Sequence, residues 1–487
     1  MLPISVVIFW ALMVVPLYKI NMFLDLDKKP KDKVAAVDDS GSILTYGEIC
    51  DFSARFAQAL PSRTHIFILA ENKIGSLLGY TGALSSGIVP LVISAKTEQS
   101  LYENLLNLYS PAYLWVPEEM TDYLGYASTG FAAWGYVLLK TGLKSPELHE
   151  DLALLLPTSG STGSPKLVRH SYRNIEANAF NVLRLFELTE NERPMAALPM
   201  HYTMGLSVIT SHLLAGAMLV LSGRSLLDKG FWQMMREHRV TSFTGVPYSY
   251  ELLSKLRFFR MDLPDLHTIT QGGGKMTEEL FKSYAEYAEQ KGKRFIATYG
   301  QTECTARMAY LPAELATTKT CSIGIAEPGG RLSIIDNDGN ETFEGVAEGE
   351  MVYRGENVTF GYATCADDLL KGDENHGIMH TGDLARRDTD GCYYIVGRLK
   401  RFLKIFGLRI GLDEVELMIK SHFNTDCYCS GTDEMLTISV TNAAVADEII
   451  AFVVEKTHLY HKNIVVKIVQ SILRNETGKV TIDNEQI

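Results

Sequence analysis

Along residues 34 to 240, short apolar runs alternate with segments whose apolar positions recur every three or four residues. HIFILA at 65–70 and IVPLVI at 88–93 predict buried strands, and SLLGYTGALSSG between them predicts a helix closed by Gly87. This alternation is the pattern of parallel βαβ layers. From about residue 321 the texture changes to short strands broken by Gly and Asp/Asn turns (RLSIIDNDGNE, GEMVYRG, DGCYYIVG), which predicts an antiparallel, β-rich subdomain. Mixed patterns resume near residue 400, where LDEVELMIKSHF sets Leu412, Val415, Met418 and Ile419 on one helical face. No repeat of about 20 to 50 residues is present, which excludes solenoids and propellers. The expected fold is α/β: a large N-terminal domain (22–399) of layered αβ subdomains plus a β-rich subdomain, then a small mobile α+β C-terminal domain (400–487).

The segment 1–21 stands apart. Met1 to Tyr18 carries no charge, and a run of that length reaches the lower edge of the about 17 to 25 residues that span a bilayer. It lacks the basic start and small-residue cleavage site of an exported leader. Three readings stay open: a start placed too early with Met22 as the true first residue, a membrane anchor or interfacial segment, and a buried element. Lys19, Lys28, Lys29, Lys31 and Lys33 follow the run, so insertion would leave everything downstream in the cytoplasm, and in each of the three readings the body of the protein is expected to be cytoplasmic. Membrane contact is expected only if residues 1–18 insert.

Composition narrows the function classes. The 487 residues are 46% hydrophobic and 21% charged with a net charge of −12, the profile of a packed enzyme-sized chain and not of a disordered one. The charge lacks the basic footprint that nucleic-acid binding requires, so no nucleic-acid partner is expected. Seven scattered cysteines, odd in number, indicate a reducing compartment. Cys427 and Cys429 have no second Cys/His cluster at zinc spacing and read as ordinary thiols.

Candidate chemistry starts at PTSGSTGSPK, residues 157–166, between the strand Ala153 to Leu156 and a helix carrying Ile175, Ala179, Val182, Leu183 and Phe186. Small residues let backbone amides approach an anion, hydroxyls donate to it, and Lys166 adds charge. By composition alone such a loop is more often a flexible connection. The pattern GxxxxGK[ST] is absent, which disfavours a Walker-type kinase or NTPase. Four further strings follow in order: YGQTE at 299–303, HTGDL at 380–384, GRLKRFLKIFGLRI at 397–410 and NETGK at 475–479. Together these resemble the sequential core motifs of the adenylate-forming superfamily, which contains acyl-CoA synthetases, adenylation domains of peptide synthetases, and luciferases. The resemblance runs from LTYGEI at 44–49 to Lys479.

The resemblance implies roles that suit the side chains. Thr158, Ser159, Gly160, Ser161, Thr162, Gly163 and Lys166 would hold the β- and γ-phosphates of ATP. Tyr299 would offer an aromatic face to adenine, Thr302 would touch the α-phosphate, and Glu303 would supply a hard oxygen ligand for Mg²⁺. Asp383 would accept from both ribose hydroxyls, and Arg398 would lie beside the nucleotide. Lys479 would bridge the substrate carboxylate and the α-phosphate, and Lys400 would be the hinge between the domains. The family's pocket segments become LPMHYTMGL at 198–206 and GGGKM at 272–276, which puts His201, Tyr202, Gly272, Gly273 and Gly274 at the substrate. Tyr202 fills the usual His position, Lys275 replaces a small residue or Pro, and Leu167 stands in PKLV where PKGV is more frequent.

The resemblance therefore implies an AMP-forming ligase that activates a small-molecule carboxylic acid with MgATP and passes the acyl group to a thiol, coenzyme A first. The segment after 400 is short for the family, so a phosphopantetheine thiol on an acyl or peptidyl carrier protein is the alternative acceptor. A nucleotide-binding protein that has lost catalysis is the alternative from another class, opposed by intact Lys166, Glu303 and Lys479. Every nucleotide motif lies beyond residue 150, so deletion of residues 1–21 is expected to leave acid-dependent ATP/pyrophosphate exchange unchanged within about twofold. Loss of exchange in a folded truncated chain would refute this.

Overall fold

The computed structural model describes residues 22–158, 166–399, 401–405, 408–474 and 480. The segment 1–21, loop residues Ser159 to Gly163, Lys400 and Lys479 lie outside them.

Among the described residues, a nine-stranded sheet runs in the order Ile325–Ala326, Ala309–Tyr310, Arg294–Tyr299, Thr268–Gln271, Ser242–Gly245, Pro194–Ala196, Leu219–Leu221, Val34–Asp38, Ile43–Thr45. The six central strands pair in parallel, and the margins are antiparallel. Alternate residues of the central strands feed two cores. Ala36, Ala196, Leu219 and Leu221 face one, and Val37, Met195, Val220, Phe243 and Ile269 face the other. Burial on both faces is why these strands read as continuous apolar runs and not as an alternation.

An eight-stranded sheet runs Tyr362–Ala363, Leu167–Ser171, Leu152–Pro157, Val89–Ser94, His65–Ala70, Tyr113–Pro117, Tyr136–Lys140, Ala127–Ala133. Its four inner strands are the parallel set expected from the alternation. The helix Ile74–Ser85 is buried on all sides through Leu84, and a Cβ on Gly79 would sit 2.3 Å from the Trp115 ring. The small residues of SLLGYTGALSSG thus admit the aromatic rings of the core.

The candidate phosphate loop does not lead directly into a helix: Leu152–Pro157 pairs antiparallel with Leu167–Ser171, and the helix Tyr172–Phe186 starts only after that strand. Leu167 is fully buried, so the side chain that replaces the more frequent glycine is part of the core.

A five-stranded antiparallel sheet follows, in the order Glu341–Thr342, Gly330–Ile335, Ala347–Gly355, Ile378–Arg387, Tyr393–Arg398. After residue 401 the chain builds a separate core of Leu403, Ile405, Val415, Ile419, Ile438 and Val453. It lies between the helices Leu412–Phe423 and Ala446–Thr457 and a three-stranded sheet. Among the described residues, no helix is long and apolar enough to cross a membrane.

A buried guanidinium ties residues 360–374 to the first strand after the phosphate loop. Arg169 is fully buried and donates to the carbonyls of Tyr362 at 3.0 Å, Phe360 at 3.1 Å and Gly372 at 3.1 Å, as well as to Lys371 O and the Glu374 carboxylate. Arg169→Ala strands these acceptors and is expected to lower stability by about 3 kcal/mol. The exposed Arg173→Ala change is expected to stay within about 0.5 kcal/mol. Urea-midpoint shifts of the two variants check this.

Candidate functional site

The site forms at the carboxyl ends of two neighbouring parallel strands, Thr268–Gln271 and Arg294–Tyr299, the edge at which open α/β sheets bind ligands. Beyond Tyr299 the chain folds back so tightly that a Cβ on Gly300 would lie 1.5 Å from the Ala306 carbonyl oxygen, so only glycine fits. A short 3₁₀ turn, Thr302–Cys304, carries Thr302 and Glu303. Side chains from below fix this loop. The Asn357 amide donates to the carbonyls of Cys304 and Arg307, both at 3.0 Å, and to Glu327 Oε1 at 2.8 Å. The hydroxyl and amide of Thr359 both donate to the Glu303 carbonyl, at 2.9 and 3.0 Å.

Asp383 stands beside this loop. It lies on the strand Ile378–Arg387, pairs in register with Arg398, and its side chain is 8% exposed. The Tyr299 hydroxyl donates to Oδ2 at 2.5 Å, and Gln301 Nε2 donates to the same oxygen at 3.2 Å and to Thr381 O at 3.0 Å. Arg398 Nε is 3.4 Å from Oδ1 and 3.5 Å from Asp413 Oδ2. Burial, with the Asp383 charge added to it, holds the Tyr299 phenol well above its ordinary range, so it remains a donor.

A second cluster joins the end of the phosphate loop to Glu303. The Thr158 amide donates to the Lys166 carbonyl at 3.4 Å across the loop base. The Lys166 ammonium lies 3.1 Å from the centroid of the Tyr362 ring, whose hydroxyl donates to Glu303 Oε1 at 2.7 Å. Burial and then the Glu303 charge push that phenol up as well.

At the third cluster, Gly273 has φ of +78°, and a Cβ there would meet the Tyr202 hydroxyl at 2.5 Å. A Cβ on Gly272 would meet Met204 Sδ and Thr298 Oγ1, each at 2.7 Å, while one on Gly274 would meet Pro247 Cγ at 3.2 Å. Tyr202 is buried with Leu198, Met204 and Val246, and burial pushes its phenol up to about 12. His201 is half-buried one residue earlier. Lys275 turns away from the glycines and donates to Ile395 O at 3.1 Å.

The structure thus gathers Tyr299, Thr302, Glu303, Asp383, Arg398 and Lys166 around one loop, and Tyr202 with Gly272, Gly273 and Gly274 beside the neighbouring strand end. Ser159, Gly160, Ser161, Thr162, Gly163, Lys400 and Lys479 lie outside the described residues. Sequence reasoning missed Tyr362, Arg169, Asn357 and Glu327, and gave no role to Gln301 inside its own motif. A lone Arg in the apolar strand LVRHS was the available signal for Arg169. The others become visible only through long-range contacts.

The model of the AMP-binding enzyme family matches residues 24–363 of this sequence. The chain belongs to that family. The luciferin 4-monooxygenase of Photinus pyralis is 24% identical over 423 residues, which cover 78% of this chain and 75% of that protein. The long-chain-fatty-acid–CoA ligase of Salmonella typhimurium is 27% identical over 324 residues, 64% of this chain and 54% of the relative, so the match spans about half of that ligase. Among solved structures, the o-succinylbenzoate CoA synthetase of Bacillus subtilis in complex with an acyl-adenylate superimposes with a TM-score of 0.77 at 20% identity, over 94% of this chain and 96% of that one. That likeness fixes the fold: a large N-terminal and a small C-terminal domain, as expected from the motifs.

The support beneath the loop has a titration signature. Burial raises the Glu327 carboxyl to about 8, against donors Asn181 and Tyr353 and the Arg307 charge that favour ionisation. Above the usual carboxylate range and below about pH 8, the folded state keeps a proton that the unfolded chain has lost, so stability falls as pH rises through this window. Glu327→Gln keeps an acceptor for Asn357 and removes the titration. Its unfolding free energy is expected to lose less than that of the wild type between about pH 5 and 8. Parallel profiles would contradict the assignment.

Proposed function

We propose that the chain is an AMP-forming acid–thiol ligase. A carboxylate oxygen of the acid attacks the α-phosphorus of ATP and pyrophosphate leaves. A thiol sulfur then attacks the acyl carbon, and AMP leaves with the electrons of the broken acyl–oxygen bond. One observation carries the reading: a single pinned loop presents Tyr299, Thr302 and Glu303 between a buried carboxylate, Asp383, and the phosphate-loop cation, Lys166.

In this reading Asp383 accepts from the ribose hydroxyls, with Tyr299 and Gln301 fixing its plane and Arg398 beside it. Thr158, Lys166 and the hydroxyls between them receive the β- and γ-phosphates, and Thr302 faces the α-phosphate. Among the described residues, no group of three or more His, Cys, Asp or Glu side chains could hold a metal ion on its own. That fits Mg²⁺ entering with the nucleotide, since Mg²⁺ is commonly held by one or two carboxylates plus phosphate oxygens. Glu303 is the carboxylate suited to it, and Mg²⁺ there would neutralise phosphate charge.

Tyr202, His201 and the three glycines border the acid. Lys479, on a small domain from residue 400 onward hinged at Lys400, supplies the cation between carboxylate and α-phosphate. Coenzyme A is the acceptor, in keeping with the relatives named as CoA ligases and CoA synthetase.

ATP/pyrophosphate exchange across a panel of carboxylic acids, repeated with coenzyme A and with a phosphopantetheine carrier protein, tests both half-reactions. Acid-dependent exchange and acyl-CoA formation are expected. Acylation of the carrier alone would move the acceptor to that protein, and ATP binding without exchange on any acid would overturn the ligase reading. Asp383→Ala is expected to raise the ATP dissociation constant by about tenfold or more, since it removes acceptors in a buried setting.

A further inference from the structure

We propose that Tyr362 is a positioning residue that holds the phosphate-loop lysine and the Mg²⁺-side carboxylate apart and in place; the assignment rests on the ligase reading above. Its ring takes the Lys166 ammonium on one face, 3.1 Å from the centroid, while its hydroxyl donates to Glu303 Oε1 at 2.7 Å. An ammonium and a carboxylate facing one space would pair directly and neutralise each other. The phenol stands between them, satisfying the cation with its π-face and the anion with its proton. Both charges then remain available to a triphosphate and its metal. The hydrogen bond restrains rotation of the Glu303 carboxylate, and the ring restrains a flexible four-carbon stem.

The backbone around Tyr362 is built to hold it there. Tyr362 and Ala363 pair antiparallel with Val168 and Leu167, the first residues after Lys166, so the ring is placed by sheet register. Arg169 grips both flanks, donating to the carbonyls of Phe360 and Tyr362 and to those of Lys371 and Gly372. Gly361 has φ of +116°, a conformation that side chains rarely adopt, and a Cβ there would meet Glu374 Oε2 at 3.0 Å. A buried arginine, a strained glycine and a two-residue strand thus converge on one ring that touches two opposite charges.

The test is ATP binding by calorimetry, with and without Mg²⁺, on Tyr362→Phe and Tyr362→Leu, with no acid present. Tyr362→Phe keeps the face over Lys166 and loses the hydrogen bond. It is expected to raise the half-saturating Mg²⁺ concentration by about tenfold while Mg²⁺-free ATP binding stays within about twofold. Tyr362→Leu is expected to weaken Mg²⁺-free ATP binding by about threefold to fivefold as well. In a Glu303→Gln background, Tyr362→Phe should change the Mg²⁺ dependence no further, a readout that does not need the leucine variant to fold. Unchanged Mg²⁺ dependence in Tyr362→Phe would overturn the proposal, and so would equal loss of Mg²⁺-free binding in both variants. The ligase reading fails separately: a chain that binds MgATP in this pattern yet exchanges pyrophosphate with no acid keeps the positioning role and loses the ligase.

Discussion

The side-chain amide of Asn357 is the interaction on which the site depends. Its two protons serve three acceptors: two carbonyls on opposite sides of the loop 302–307 and the buried carboxyl of Glu327. A loop crossing the end of a parallel sheet must turn its carbonyls inward somewhere, and an inward carbonyl without a donor would be destabilising. Asn357 meets that requirement, and its own oxygen accepts from Tyr353 at 2.8 Å. The outer face of the loop is thereby left to Tyr299, Gln301, Thr302 and Glu303. The Tyr299–Asp383 bond starts from the strand that leads into that fixed loop, and the Tyr362–Glu303 bond ends on it.

Two carboxyl groups near the loop are held in opposite ways. Asp383 faces donors from Tyr299 and Gln301 with Arg398 close by. Glu327 is buried deeper, is shifted up to about 8, and has one oxygen without a hydrogen-bond partner among the described residues. Its other oxygen accepts from Asn357 beneath the loop.

Much of the fold is legible in the sequence. Strands at 65–70 and 89–94, the helix after residue 412 and the change of texture near residue 321 all follow from periodicity, because periodicity reports which side chains are buried. It does not report strand direction. That LVRH pairs antiparallel with Leu152–Pro157 as the second strand of a hairpin is therefore seen only in the fold. Motif order located Asp383, Glu303, Tyr299 and Lys166 because each string keeps its spacing along the chain. Tyr362, Arg169 and Asn357 act through partners 59, 202 and 53 residues away. Apart from the lone Arg in LVRHS, no local pattern marks such contacts, and a tyrosine after a glycine looks ordinary on its own.

The small C-terminal core meets the large domain through the Lys420–Glu251 ion pair and through Arg398, shared between Asp383 and Asp413. Asp383 and the first helix of the small domain thus contact the same guanidinium, which joins the candidate site to the C-terminal part of the chain. The claim that these elements serve carboxylate attack on an α-phosphate is tested most directly by oxygen-18 transfer. An acid that supports exchange is labelled in its carboxyl group and turned over with the acceptor thiol, and the AMP released is analysed by mass spectrometry. AMP carrying one labelled oxygen is the expected result, because the attacking oxygen stays on phosphorus when the acyl group leaves. Unlabelled AMP, or label appearing only in inorganic phosphate, would contradict adenylation at this site.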